Sequence, residues 1–259
     1  MTYSTYVISL SNELVRQKSI LTQFNKLNSI FEFEYAVDFR FVDINKVDDF
    51  YIKSTCSSLN RNLTKGEIGC SLSHINVYKK LLESNETWAW IVEDDALLER
   101  VDIKILDELI QCSEKQGNDV VILGYSKLAS DEEKIFYLKE PLKAKSMLEC
   151  GAILGRPWKN WTCGTVSYLI NKNGAKKILD RFESVCNKVE TVADDWNFFE
   201  KHCSVNILHC RPLLVFENFN AYKSSLEDER AVIAKKSIKW LDSIRVIRGF
   251  MRKAIMDIK

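Results

Sequence analysis

The 259 residues carry 37 basic and 36 acidic side chains, are 46% hydrophobic, and include only 9 Gly and 3 Pro. That is the composition of a folded chain with a large core, and it excludes collagen-like, low-complexity and disordered proteins. A net charge of +1 gives no nucleic-acid-binding field, and no apolar run reaches the ~18–20 residues of a membrane span.

The first apolar run, Thr5–Leu10, predicts a strand. Ser11 or Asn12 can cap a following helix on which Leu14, Leu21, Phe24 and Leu27 share a face. Arg16 on that helix is a surface charge or a phosphate or base contact. Phe31–Val37 alternates like a second strand, so the chain opens as an α/β sheet. In 63–75, Thr64 and Glu67 fit a capping box, and Ile68, Leu72, Ile75 and Leu82 mark one face of a helix. Gly66 and Gly69 in its first turn are costly unless backbone or ligand approaches closely there. Lys65 beside the helix start would suit a phosphate.

Trp88–Val92 reads as a buried strand that ends in three consecutive acids, Glu93, Asp94 and Asp95. Strand alternation turns Glu93 and Asp95 to one side and Asp94 to the other. Three acids with apolar flanks repel one another and are costly to desolvate, and a divalent ion relieves both effects. Oxygen-only ligands suit Mn²⁺ or Mg²⁺. Ligands of α/β sheets also gather at the carboxyl ends of strands.

A helix is predicted over Val101–Gln116, a buried strand over Asp119–Gly124, a strand-like patch over Lys134–Leu138, and a loop holding Gly151, Gly155, Trp158 and Trp161. Cys163–Ile170 is a strand leading into a helix faced by Ala175, Ile178, Leu179 and Phe182. Asp194 and Asp195 lie between apolar residues, either as an N-cap with a first-turn acid or as a general base. Val205–Phe216 is a β-like segment broken by His209, Cys210 and Pro212. His209 is a candidate third ligand for a hard ion, while His202-Cys203 and His209-Cys210 lack zinc-ligand spacing.

Residues 235–259 hold 8 basic and 2 acidic side chains, a local charge of +6. There Trp240, Ile244, Ile247, Met251, Ala254 and Ile258 step by three or four residues, the pattern of an in-plane helix on anionic lipid. The other reading packs this face on the chain's own domain or on a second subunit, as in a homodimer. The 8 cysteines form no Cys-x-x-Cys pair and Tyr6–Leu10 is too short for a signal sequence, which predicts a cytoplasmic chain with reduced thiols.

Four blocks resemble glycosyltransferase family 25, the bacterial lipooligosaccharide glycosyltransferases with animal collagen galactosyltransferase relatives. They are Val7–Leu10, Leu63–His74 (the most specific), Ile91–Asp95 and Gly164–Ala175. The resemblance implies an α/β, GT-A-like fold, a Rossmann-type mixed sheet flanked by helices, over residues 1–220, with the basic amphipathic helical tail over 221–259. It implies a UDP-sugar donor (galactose first, glucose next), an oligosaccharide or lipid-linked acceptor, and an inverted, β-linked product. Glu93–Asp95 takes the place of the Asp-x-Asp motif, with Asp95 and Glu93 on the metal. Ser9, Arg16, Lys65, Glu93, Asp94, Gly164 and Thr165 fall with the donor contacts, and Asp195, then Asp194, with the base. With the tail on the membrane, the enzyme would sit at the inner face of the cytoplasmic membrane. The rival readings are a non-catalytic sugar- or membrane-binding adaptor on the same fold, and metal-dependent phosphoryl transfer. The absence of a P-loop or basic groove argues against the second.

Overall fold

The computed structural model describes residues 3–218 and 241–258. In chain order, β1 (Tyr3–Ser9), α1 (Leu14–Leu27) and β2 (Glu32–Tyr35) form the opening unit, followed by the short α2 (Ile44–Val47). Next come α3 (Lys65–Glu83), β3 (Trp88–Glu93), β4 (Ala96–Leu97), α4 (Ile103–Gln116), β5 (Val120–Ile122) and β6 (Gly124–Tyr125). The second half holds α5 (Glu133–Lys139), β7 (Leu142–Met147), β8 (Ile153–Pro157), β9 (Ser167–Asn171), α6 (Lys172–Ser184), α7 (Trp196–His202), β10 (Ile207–Arg211), β11 (Val215–Glu217) and α8 (Leu241–Ile258).

The large sheet runs β2-β1-β3-β9-β5-β10-β8-β7, and a small one runs β4-β11-β6. β1 is parallel to β2 and β3, and β9 lies antiparallel between β3 and β5. The carboxyl ends of β1, β3 and β5 and the amino end of β9 therefore share one edge. This mixed sheet flanked by helices is the α/β architecture that the sequence implied.

β3 shows why the sheet is buried on both faces. Ala89 and Ile91 enter one core with residues of α3 and α6, while Trp88, Trp90 and Val92 enter the other with residues of α1 and α4. Each Trp removes ~150–250 Å² from water, an upper estimate of about 4–6 kcal/mol. Both indoles find acceptors, Trp90 Nε1 on Ser167 Oγ (2.8 Å) and Trp88 Nε1 on Glu114 (3.1 Å). At the start of α3 the Thr64–Glu67 capping box forms, and Arg61 grips Glu67 through two 2.7 Å bonds. Gly69 proves to be a close approach: a Cβ there would stand 2.4 Å from the Val37 carbonyl oxygen.

Several predicted elements change. Residues 134–138 are helical, because Glu133, Phe136 and Tyr137 turn inward at three- and four-residue spacing while Ile135 and Leu138 stay exposed. The expected loop around Gly155 is the β7–β8 hairpin at the sheet edge. The Val205–Phe216 segment splits between the two sheets as β10 and β11.

The described part of the tail, α8, packs on α5 and β7. Arg248 and Arg252 both donate to Glu140 (2.5 and 2.8 Å), and Gly249 and Met256 are buried. Ile244, Ile247, Phe250, Met251, Ile255 and Ile258 are exposed. The basic side of the helix faces its own domain and the apolar side faces outward. Trp240 and Lys235–Lys239 lie outside the described residues.

Candidate active site

β3 ends at Glu93, and Asp94 and Asp95 form the turn before β4. Two recesses meet at these acids. A cleft of about 630 Å³ is lined by Glu93, Asp95, Glu217, Asp194, Gly164 and Thr165 among others. A recess of about 120 Å³ at the ends of β1 and β2 is lined by Ser9, Arg16, Asp38 and Arg40, and also by Glu93, Asp94 and Asp95. The larger volume is typical of a small-molecule site. As strand alternation predicts, Glu93 and Asp95 reach the large cleft and Asp94 only the small recess.

The interior side of the cluster is tightly tied. Asp94 accepts from Ser9 Oγ (2.6 Å) and from Arg16 Nη1 (3.2 Å), and Asp95 Oδ2 accepts from the same Arg16 nitrogen (3.2 Å). Glu93 accepts from Thr165 Oγ1, because antiparallel β9 brings its amino end beside the end of β3. Arg16 therefore holds acids rather than standing on the surface. Asp95 is 7% exposed, and its Oδ1 is buried without a hydrogen-bond partner. Burial, then the charges of Glu93, Glu217 and Asp94, push the Asp95 carboxyl well above the usual carboxylate range, and Arg16 offsets this only in part. Burial raises Asp94 as well, against the Ser9 bond and the Arg16 charge.

Glu217 at the end of β11 was not singled out from the sequence. Burial and Glu93 raise its carboxyl, and it accepts from the Lys127 backbone N–H (2.8 Å). Its signal was there to read: Val215-Phe-Glu217 repeats the apolar-strand-then-acid pattern of Ile91-Val-Glu93. Glu93, Asp95 and Glu217 are carboxylates of the same cleft wall, and the charges of Glu93 and Glu217 both act on Asp95.

The second acidic pair divides in the opposite order to that expected. Asp195 is fully buried and caps α7, accepting from Phe198 N (3.1 Å), Ser58 N (2.8 Å), Ser58 Oγ (2.6 Å) and Thr191 Oγ1 (2.6 Å). Its oxygens are taken up by these bonds and it does not line the cleft, the place of a structural cap. Asp194 is on the cleft wall, with Oδ2 held by Gly164 N–H at 2.7 Å. Gly164 makes this contact at φ +88°, and a Cβ there would fall 1.8 Å from Ser126 Oγ.

Two further expectations are corrected. Lys65 Nζ donates to the Val42 carbonyl and lines neither recess, so it fastens a loop instead of meeting a phosphate. His209 is fully buried with Nδ1 on Tyr125 Oη (2.8 Å) and Nε2 on Asn160 Oδ1 (2.8 Å), so neither nitrogen is left to bind an ion. Trp161 lines the cleft but also stacks on His209, with ring centroids 5.1 Å apart.

The profile of glycosyltransferase family 25 (LPS biosynthesis protein) matches residues 2–195. A glycosyltransferase 25 family member from Aedes aegypti is 29% identical over 180 residues, 68% of this chain and 27% of that protein. A putative glycosyltransferase from Haemophilus influenzae is 28% identical over 238 residues, 87% of this chain and 76% of that protein. Procollagen galactosyltransferase 1-A from Xenopus laevis is 34% identical over 122 residues, 46% of this chain and 18% of that one. The chain thus spans about a quarter of the mosquito relative and three quarters of the bacterial one.

Proposed function

Because the chain belongs to glycosyltransferase family 25, we propose that it transfers a hexose, galactose before glucose, from a UDP-sugar to a sugar hydroxyl of a lipopolysaccharide-type acceptor. The transfer inverts the anomeric carbon and uses Mn²⁺ or Mg²⁺. One observation carries this reading: the partnerless, buried Asp95 Oδ1 in a cluster of four carboxylates that opens on a cleft. Such an oxygen is costly unless a cation meets it, and an all-oxygen donor set suits a hard ion.

Asp95 and Glu93, with Glu217 across the cleft wall, would hold the ion. An ion bound there would supply neutralisation of charge on a departing diphosphate, an effect worth several kcal/mol. The chain's own residues do the rest. Ser9 and Arg16 fix Asp94 and Asp95, so the cluster is preorganised before the donor arrives. The small recess at the ends of β1 and β2 takes the nucleoside, and the large cleft takes the sugar and the acceptor. Asp194, oriented by Gly164 N–H, accepts the proton of the attacking hydroxyl, a role worth about 10²–10⁴ in rate. The direct test is a panel of UDP-sugars with and without Mn²⁺ on a truncated oligosaccharide, read by product mass. No turnover with any donor, together with UDP binding indifferent to Mn²⁺, would refute the proposal and favour the non-catalytic adaptor.

Lipid contact through α8 is part of the same reading. Among the described residues no helix is long and apolar enough to cross a membrane, but α8 carries six exposed large apolar side chains along its outward side. An anionic bilayer covers that row, and the inner face of the cytoplasmic membrane is the surface proposed. Co-flotation with phosphatidylglycerol vesicles that is lost in Ile247→Asp/Met251→Asp supports this. A concentration-dependent dimer mass without vesicle binding assigns the row to a second copy instead.

A further inference from the structure

Cys70 and His74 lie four residues apart on α3, so their side chains leave the same face of the helix. That face meets the end of β3, where one ligand atom each from Cys70, His74 and Glu93 lies within 4.8 Å of the others. The His74 Nε2–Glu93 Oε1 distance is 3.9 Å. Ligands at zinc distances of 2.0–2.3 Å in a tetrahedron are separated by about 3.5 Å, so small side-chain movements close the set.

His74 points to a ligand independently of that proximity. It is 2% exposed, and Nε2 is buried with no hydrogen-bond partner. Nδ1 lies 2.7 Å from Tyr168 Oη, which lies 2.8 Å from Tyr78 Oη. With the proton on Nδ1, His74 donates to Tyr168 and Tyr168 donates to Tyr78. The Nε2 lone pair is then left free, 3.9 Å from Glu93 Oε1. Metal-binding histidines are held in this way, one nitrogen anchored by a hydrogen bond and the other on the ion. A buried nitrogen otherwise left unpaired is a standing cost that an ion would remove.

We propose that Cys70, His74 and Glu93 form a site for a borderline-soft divalent cation such as Zn²⁺, separate from the oxygen-only cluster around Asp95 except for the shared Glu93. Thiolate and imidazole select zinc over magnesium or manganese. Binding releases the Cys70 thiol proton to solvent. Cys70 and Glu93 line both recesses, so the ion enters from the cleft and keeps an open coordination position toward it. The site stands on its own geometry and does not require the transfer reaction. If transfer occurs, zinc held by Glu93 competes with the hard ion for that carboxylate.

The test is metal titration of the full, chelator-treated chain, read without activity. Co²⁺ is expected to give a thiolate-to-cobalt charge-transfer band at one ion per chain, displaced by Zn²⁺ but not by Mg²⁺. Loss of even an outer hydrogen-bond partner of a ligand costs about 10–100-fold in affinity, so removing the thiolate itself in Cys70→Ser is expected to abolish the band and weaken zinc binding at least tenfold. Asp95→Asn is expected to keep the band. In the unmutated chain, zinc is expected to slow alkylation of Cys70 but not of the exposed Cys56, Cys150 and Cys186. No band, a band that survives Cys70→Ser, a band lost in Asp95→Asn, or Cys70 alkylation unaffected by zinc would each overturn the proposal.

Discussion

Asp95→Asn tests the acid cluster most directly. The substitution keeps the shape and an oxygen for Arg16, but it removes the charge that Glu93, Glu217 and Asp94 oppose. In the metal-free chain the relief of repulsion works against the loss from the weakened charge-assisted bond to Arg16, a bond worth about 1.5–3 kcal/mol, so the net loss of stability is smaller than that. The response to metal is where the two proteins separate. Free ion at 100 times its Kd stabilises a chain by about 2.7 kcal/mol, and at ~2–4 °C per kcal/mol for this size Mn²⁺ raises Tm by roughly 5–10 °C. The Asp95→Asn variant is expected to lose that shift and, with it, transfer. The shift also depends on pH. The folded Asp95 carboxyl holds its proton more tightly than the unfolded one, whose pKa is about 3.9. Stability from the bound proton is complete below the unfolded value and is lost as pH rises through the raised folded value. A cation must expel that proton, so the Mn²⁺ shift is small in acid and grows toward neutrality. Differential scanning fluorimetry from pH 4.5 to 7.5 measures both effects. Equal Mn²⁺ shifts in the two proteins, or a pH-independent shift, would refute the reasoning.

Three other predictions follow from the same geometry. Asp194→Asn is expected to leave the Mn²⁺ shift and UDP binding intact while lowering kcat by about 10²–10⁴, and an unchanged kcat moves the base elsewhere. Asp195→Ala is expected to act on stability instead: the lost cap and the stranded Ser58 and Thr191 donors cost about 2–4 kcal/mol in urea unfolding, and an unchanged midpoint contradicts the structural role. Gly164→Ala places a Cβ against Ser126 at a left-handed φ. A loss of about 1–3 kcal/mol is expected, and a Tm equal to that of the unaltered chain shows that the turn can shift.

Much of the site could be read in the chain before any contact was known. The end of β3 announced itself because acids after a buried Trp-rich run have few physical explanations. Thr64 and Glu67 announced the start of α3 through a purely local pair of bonds. Residues 134–138 misled because a seven-residue helix shows barely two turns of its period, too few to separate from strand alternation. Asp194 and Asp195 misled for a different reason. Adjacent residues at a helix start point in different directions, and Ser58, far away in sequence, decides which of them is buried.

The sequence alone determined the family, the opening strand–helix–strand unit, the capped start of α3 and the position of the acids at a strand end, because periodicity, capping and apolar runs act over a few residues. Only the tertiary structure decided that Arg16 braces Asp94 and Asp95, that Glu217 joins them, that Asp194 rather than Asp195 faces the cleft, and that α8 turns its apolar row outward. Those outcomes depend on which distant segment arrives beside each side chain. Burial and charge then fix its protonation and its partners.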